Sequence, residues 1–180
     1  MMIRWKRFNI YLLLALGLAV VWGCQSPEGK RKKQFSTLRV HLEVAPDGTD
    51  RNQVVVVYRQ SPVSVTVEKS PFLTEGEVSE AKVVEVMGGF TLRVQFDRQG
   101  TWLLEQYSSA NRGKRFAIFS QFVSAPDTKL NEGRWLAAPK ISKRITDGAL
   151  IFTPDATREE AQQIAQGLNN VAKKVQDTSK

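Results

Sequence analysis

Gly88-Gly89 joins two runs, Lys82–Met87 and Phe90–Phe96, that are rich in β-branched and aromatic residues. Two glycines between such runs supply the backbone freedom of a tight hairpin, so the runs must pair antiparallel. Any fold for this chain has to be built around that pairing. Upstream, Leu38, Val40, Leu42 and Val44 alternate with Arg39, His41 and Glu43. That is the period of a half-buried strand, with His41 on its polar face. Pro46-Asp47-Gly48 then turns the chain. Val54 to Val57 is an unbroken β-branched run, which predicts a strand covered on both faces. Val63, Val65 and Val67 alternate with Ser64, Thr66 and Glu68 and predict another strand.

Past the hairpin the period changes. Asp97 can cap a helix in which Trp102, Leu103, Gln106 and Tyr107 share one stripe. Trp102 is expected to pack beneath that helix, Gly100 to loosen its first turn, and Gly113 to end it. Phe116–Phe119 returns to strand. Residues 120–134 hold Pro126, Asp127, Asn131 and Gly133 without a clear period and predict a long loop. Trp135–Ala138 is a short strand stopped by Pro139, and Ala149–Phe152 another after the Asp147-Gly148 turn. Thr157-Arg158-Glu159-Glu160 has the spacing of a capping box. Ala161, Ile164, Ala165, Leu168, Val171, Ala172 and Val175 continue a helical stripe, with Lys173 and Lys174 near its negative end. Strands, helix, strands and helix in this order predict an α+β domain over residues 35–180. Its sheet is mostly antiparallel, with two α-helices packed on one face.

The N-terminus has a different grammar. Arg4, Lys6 and Arg7 precede the apolar run from Ile10 to Val21, and Gly23 stands just before the chain's one cysteine. Charge, then grease, then a small residue is the order of a secretory signal, and the run is shorter than the ~20 residues of a membrane span. Val21-Trp22-Gly23-Cys24 resembles the lipobox of bacterial lipoproteins, departing from it at Trp22. The resemblance implies cleavage between Gly23 and Cys24, acylation of the Cys24 thiol, and anchoring to membrane lipid through that residue. A lone cysteine in an exported chain has no internal disulfide partner, which suits such a use. Losing residues 1–23 reduces the 26 basic residues to 23 against 18 acidic ones. The remaining excess is scattered except for Lys30-Arg31-Lys32-Lys33, within a flexible basic linker at residues 24–34. With an export signal in front, nucleic acid is not an expected partner. The basic run can instead meet anionic headgroups.

Residues 63–170 carry a second resemblance. Val67-Glu68-Lys69-Ser70-Pro71-Phe72-Leu73-Thr74, the acidic segment before Ala81-Lys82-Val83, and Phe90-Thr91-Leu92-Arg93-Val94-Gln95-Phe96 follow one another in a recognisable order. Asn111-Arg112-Gly113-Lys114-Arg115-Phe116-Ala117-Ile118, Ala137-Ala138-Pro139-Lys140-Ile141 and the Glu159-Glu160-Ala161 helix start continue it. Together these are similar to the P1 head region of SecD, part of the SecDF accessory complex of bacterial protein export. The resemblance implies a SecD P1-head-like fold that engages emerging polypeptide. It does not imply proton-driven motor activity, because the family's membrane-spanning helices have no counterpart after Cys24. The Gln121–Arg134 segment is longer than the family's short turn.

Catalytic chemistry finds little to stand on. His41 is the one histidine, so neither a metal site nor a Ser-His-acid triad can be assembled in the usual way. No nucleophile-elbow or phosphate-loop pattern is present. The expectation is a non-catalytic, lipid-anchored protein of the bacterial cell envelope, facing the periplasm or exterior, with no cofactor or metal. Its partner would be an envelope protein or exported polypeptide, reached through an exposed strand edge and the Gln121–Arg134 segment. Trp135, Arg134 and Lys129 are the candidate contacts, although core burial is the stronger expectation for a Trp beside a strand. The alternatives are an envelope domain that binds a small molecule or glycan without a link to export, and a purely structural lipoprotein.

Overall fold

A computed structural model describes residues 34–123 and 131–178, all within one compact unit that runs from Arg31 to Lys180. In chain order the elements are β1 (Arg39–Leu42), β2 (Asn52–Val57), β3 (Val63–Glu68), β4 (Leu73–Thr74), β5 (Val78–Val86) and β6 (Gly89–Phe96). Helix α1 (Arg98–Ala110) follows, then β7 (Phe116–Val123), β8 (Asn131–Ala137), β9 (Ala149–Phe152) and α2 (Arg158–Thr178). Every strand pair is antiparallel. The Gly88-Gly89 turn has φ values of 86° and 159°, and β5 and β6 zip from Val86↔Gly89 back to Val78↔Phe96.

Antiparallel pairing and two helices agree with the expected class, but the strands form three sheets. One is four-stranded in the order β4-β1-β7-β8, one is the β2-β3 hairpin, and one is β5-β6-β9. The main core gathers Val40, Leu42, Phe116 and Ile118 from the four-stranded sheet and Leu92, Val94, Phe96 and Phe152 from the three-stranded one. Leu104 of α1 and Ile164 and Leu168 of α2 join them, so both helices serve the same side of the four-stranded sheet. Its other side is closed by the hairpin: Val55, Val57, Val65 and Val67 pack on Ala117, with Trp135 alongside. The hairpin has a single apolar face to bury, and small Ala117 leaves room for it. The expectation that Val54–Val57 is covered on both faces is therefore corrected: Val54 is 69% and Val56 57% exposed.

The helix entries behave as their residues require. Asp97 Oδ1 accepts the Gly100 N–H at 2.8 Å, the N-cap of α1. Gly100 is also a close-approach position, since a Cβ there would lie 2.8 Å from Phe96 Cβ and 2.9 Å from Glu77 Cβ. Trp102 overturns its expectation. It is 57% exposed, because α1 buries Gly100, Leu104 and Ser108, and Trp102 stands about 200° around the helix from Leu104. Around α2 the capping box closes as expected: Glu160 N donates to Thr157 Oγ1 at 3.2 Å and Thr157 N to Glu160 Oε2 at 2.8 Å. The helix runs on to Thr178, so Lys173 and Lys174 lie inside it and not in its last turn.

Residues 121–123 and 131–134 are strand and not loop, paired as Gln121↔Gly133, Phe122↔Glu132 and Val123↔Asn131. Phe122 is fully buried and anchors that arm. Residues 124–130 lie outside the described segments.

One side chain of helix α2 grips the backbone of the edge strand β5. Asn169 Oδ1 accepts from Ala81 N and its Nδ2 donates to Ala81 O, both at 2.8 Å. The amide thus stands in for a missing neighbour strand. Asn169→Ala leaves both backbone groups without that partner and is expected to cost about 1–3 kcal/mol in chemical denaturation. Asn169→Asp, which can accept but not donate, should lie between the two; equal stability of all three proteins would show that the fastening is idle.

Candidate partner-binding surface

The β2-β3 hairpin packs on the rest of the domain by one face and leaves Val54 and Val56 exposed on the other. Strand β3 is held on its outer side, where Val44 N donates to Thr66 O at 2.9 Å and Glu43 bridges to Val67. Strand β2 is different: among the described residues no strand pairs along its outer edge. Its sequence, Asn52-Gln53-Val54-Val55-Val56-Val57, holds no charge and no proline. On the outward face Val54 stands opposite Thr66 and Val56 opposite Ser64. Natural edge strands are normally blunted by charge, proline or a bulge, and an edge left flat and apolar is a template for another strand.

The turn of the hairpin is tied to the rest of the domain. Beyond β2 the chain turns through Tyr58, a non-glycine residue at φ 68°, and the Tyr58 hydroxyl accepts the Ala138 N–H at 3.0 Å. Next to it the Arg59 N–H and Nε–H both donate to Asp155 Oδ2, at 2.9 and 3.1 Å. That ion pair is exposed on the Arg59 side, so its value is positional more than energetic.

Arg134 lies just behind this clamp. Its guanidinium donates to Glu160 Oε2 at 3.0 Å and Oε1 at 3.1 Å, and to the Asp155 carbonyl at 3.1 Å, above the Phe122 ring. Both side chains are nearly closed off from solvent. Burial alone would push the Glu160 carboxyl up, yet it is held below its usual range. The Arg134 and Thr157 hydrogen bonds and the charges of Arg134 and Arg59 outweigh that desolvation. Trp135 is partly buried beneath the hairpin, with its ring 5.1 Å from His41 and 5.2 Å from Phe119. Of the expected contacts, Arg134 and Trp135 are therefore neighbours of the clamp and the hairpin floor. Lys129, Gly23 and Cys24 lie outside the described residues.

His41 is not on a polar face; it is buried between the four-stranded sheet and the hairpin. Its Nδ1–H donates to the Glu68 carbonyl at 2.7 Å, which fixes the ring beneath β3. Burial lowers its pKa, with Arg39 adding to the effect and the Glu68 carbonyl opposing it. A base whose folded pKa is depressed stays neutral while the unfolded chain takes up a proton. Stability is therefore full above the ordinary value of 6.5 and falls as pH drops from there toward the folded pKa. Thermal melts should show that decline between neutral pH and mild acid, and His41→Gln should flatten it. An unchanged slope in the variant would assign the decline to other groups.

No signal in the letters pairs Arg59 with Asp155 or Tyr58 with Ala138, because both contacts join segments far apart in the chain. The capping spacing at Glu160 revealed half of its role. Elsewhere, a depression of about 420 Å³ along α1, lined by Gln106, Tyr107, Ser109, Ala110 and Asn111, is open and brings no charges together. Among the described residues no group of three His, Cys, Asp or Glu side chains is placed to hold a metal, and no helix is long and apolar enough to cross a membrane.

Comparison with known proteins gives this geometry a setting. The family model described as "SecDF, P1 head subdomain" matches residues 39–172, from the start of β1 into the last third of α2. No curated protein matches the chain. Among solved structures, one described as "Structure and function of a membrane component SecDF that enhances protein export" is similar at 18% identity and TM-score 0.54. The match covers 83% of this chain and 71% of that one. A second, "Crystal structure of SecDF in Super-membrane-facing form", is similar at 18% identity and TM-score 0.52, covering 81% of this chain and 21% of that one. At such identities the likeness is one of fold, and the chain spans about a fifth of the second protein's length.

Proposed function

Because the chain belongs to the SecDF P1 head subdomain family, we propose that it serves protein export, binding an extended stretch of exported polypeptide along the outer edge of β2. The observation that carries this reading is that edge: unpaired among the described residues, uncharged, and flanked by exposed Val54 and Val56. A protein that handles many exported chains must bind them with little regard to sequence. Strand addition does this, since main-chain hydrogen bonds supply the attachment and side-chain contact adds apolar area. An unfolded chain in transit offers the free N–H and C=O groups required. The Tyr58 and Arg59 contacts tie the turn after β2 to the body, and Trp135 packs beneath the hairpin, so the edge is presented from a fastened support.

The proposed place of work is the outer face of a bacterial membrane, to which acylated Cys24 ties the domain. Nothing in this reading requires a reaction on the domain itself. Intact-mass measurement of the protein extracted from membranes should show Cys24 as the first residue carrying fatty acyl groups; a free thiol behind an intact leader would refute the tether.

A photo-crosslinking residue placed at Val54 or Val56 tests the edge in living cells. Crosslinks to exported polypeptides are expected, increasing when export is slowed. The same residue at Trp102, exposed on α1 away from the hairpin, is the control. Equal yields at Trp102 and on β2 would leave the edge with no special role.

A further inference from the structure

The way the N-terminal segment lies on α2 fixes where the tether leaves the domain. Asn170 Nδ2 donates to the Gln34 carbonyl at 2.8 Å. Gly167 sits so close to Ser36 that a Cβ there would come within 2.2 Å of its Oγ. The Phe35 ring meets the Lys174 ammonium 5.6 Å from its centroid. The chain therefore enters the domain along the second half of α2. The Arg59–Asp155 clamp stands just before the first turn of that helix, whose start lies about 24 Å from Lys174 along its axis.

We infer that the C-terminal half of α2 and the segment at Phe35 form the membrane-facing surface of the domain, a seat for anionic phospholipid headgroups. This rests on the proposed lipid tether, which it deepens by giving the domain an orientation. Lys173 and Lys174 are exposed there, with Asp177 as the acidic residue of the same half of the helix. Phe35 is 50% and Val175 44% exposed, so two apolar side chains flank the lysines. Lys30-Arg31-Lys32-Lys33 directly precedes Gln34 in the sequence. Positive charge beside exposed apolar residues is the combination that binds an anionic bilayer surface, each basic residue adding to the attraction. The nine residues between Cys24 and Gln34 make a leash of at most about 36 Å, which keeps the domain near the lipid, and the basic and apolar surface at this end of α2 then selects the side that faces it. The β2 clamp at the opposite end of the helix is then held away from the bilayer, where a polypeptide can reach it.

The test uses residues 25–180, which contain the whole compact unit and lack the acylated cysteine, with vesicles of phosphatidylcholine alone or mixed with phosphatidylglycerol. Binding should require phosphatidylglycerol, weaken with salt, and fall about tenfold or more in a Lys173→Glu/Lys174→Glu variant. Thermal melts of that variant should stay close to the wild type, since both lysines are exposed and, among the described residues, only the Lys174–Phe35 contact is lost. Equal binding to the two vesicle types would overturn the proposal. So would an unchanged variant whose binding vanishes only when Lys30–Lys33 is neutralised, because the linker alone would then be responsible. Intact-mass analysis of Cys24 reports on the tether separately, so the two readings fail independently.

Discussion

Arg134→Ala is expected to lower stability by about 3–5 kcal/mol, the range for removing one partner of a buried ion pair. The structure gives three reasons for so large an effect. Glu160 would keep its charge in a site nearly closed to water and lose both bonds to the guanidinium. The Asp155 carbonyl would lose a donor, and Phe122 the cation over its ring. The damage spreads because Glu160 also closes the α2 capping box and Asp155 holds Arg59. For a domain of this size the melting temperature should fall by roughly 10 °C. An Arg134→Met/Glu160→Leu double variant should recover part of the loss, since an apolar pair leaves no charge stranded while the Thr157 N–H and the Asp155 carbonyl stay without these partners. The wild-type advantage depends on pH. A carboxylate whose folded pKa is depressed contributes above its unfolded value near 4.5 and loses that contribution as pH falls through the folded one. A loss below about 1 kcal/mol at neutral pH would mean that water replaces the guanidinium without difficulty.

Phe116→Ala should cost a similar amount, about 3–5 kcal/mol, for a different reason. Phe116 begins β7 and is buried in the main core. Its ring lies 5.1 Å from that of Phe72, which stacks at 4.0 Å and 8° on Tyr107 of α1. Three rings thus join the four-stranded sheet, the segment before β4, and the first helix. Removing the central-sheet member opens a cavity beneath the stack and takes away the support of Phe72. Phe116→Leu keeps most of the volume and should cost about 1.5 kcal/mol or less. Urea denaturation of the pair separates cavity from packing detail. Similar values for both variants would show that the loss comes from ring contacts and not from volume.

The parts of the fold legible in the letters are those decided locally. Gly88-Gly89, the Asp97 cap and the Thr157–Glu160 box each depend on a few neighbouring residues, and each forms as its spacing requires. Decisions made by distant partners were hidden. Four successive valines read alike whether one face or two is covered; here the four-stranded sheet covers Val55 and Val57 and leaves Val54 and Val56 to solvent. His41 alternates as a polar residue should, yet the Glu68 carbonyl, 27 residues away, satisfies its Nδ1 and lets it be buried. The Gln121–Arg134 arms lack a clear period because Gly133 and Asn131 weaken it, while Phe122 supplies the anchor that makes them strand. Trp102 shows the limit of a stripe: α1 turns Leu104 inward, and a large apolar residue is left outside. The candidate surface was visible only as the general notion of an open edge, since which strand is the edge depends on sheet order.

Amide hydrogen exchange along β2 is the most direct measurement of the central claim. The full-length protein is incubated with an unfolded exported polypeptide, and exchange is compared with that of the protein alone. Exchange in β2 should slow, most of all between Val54 and Val57, and should not slow in a Val54→Lys/Val56→Lys variant that keeps its fold. A complex that forms while β2 exchanges at its free rate would contradict it.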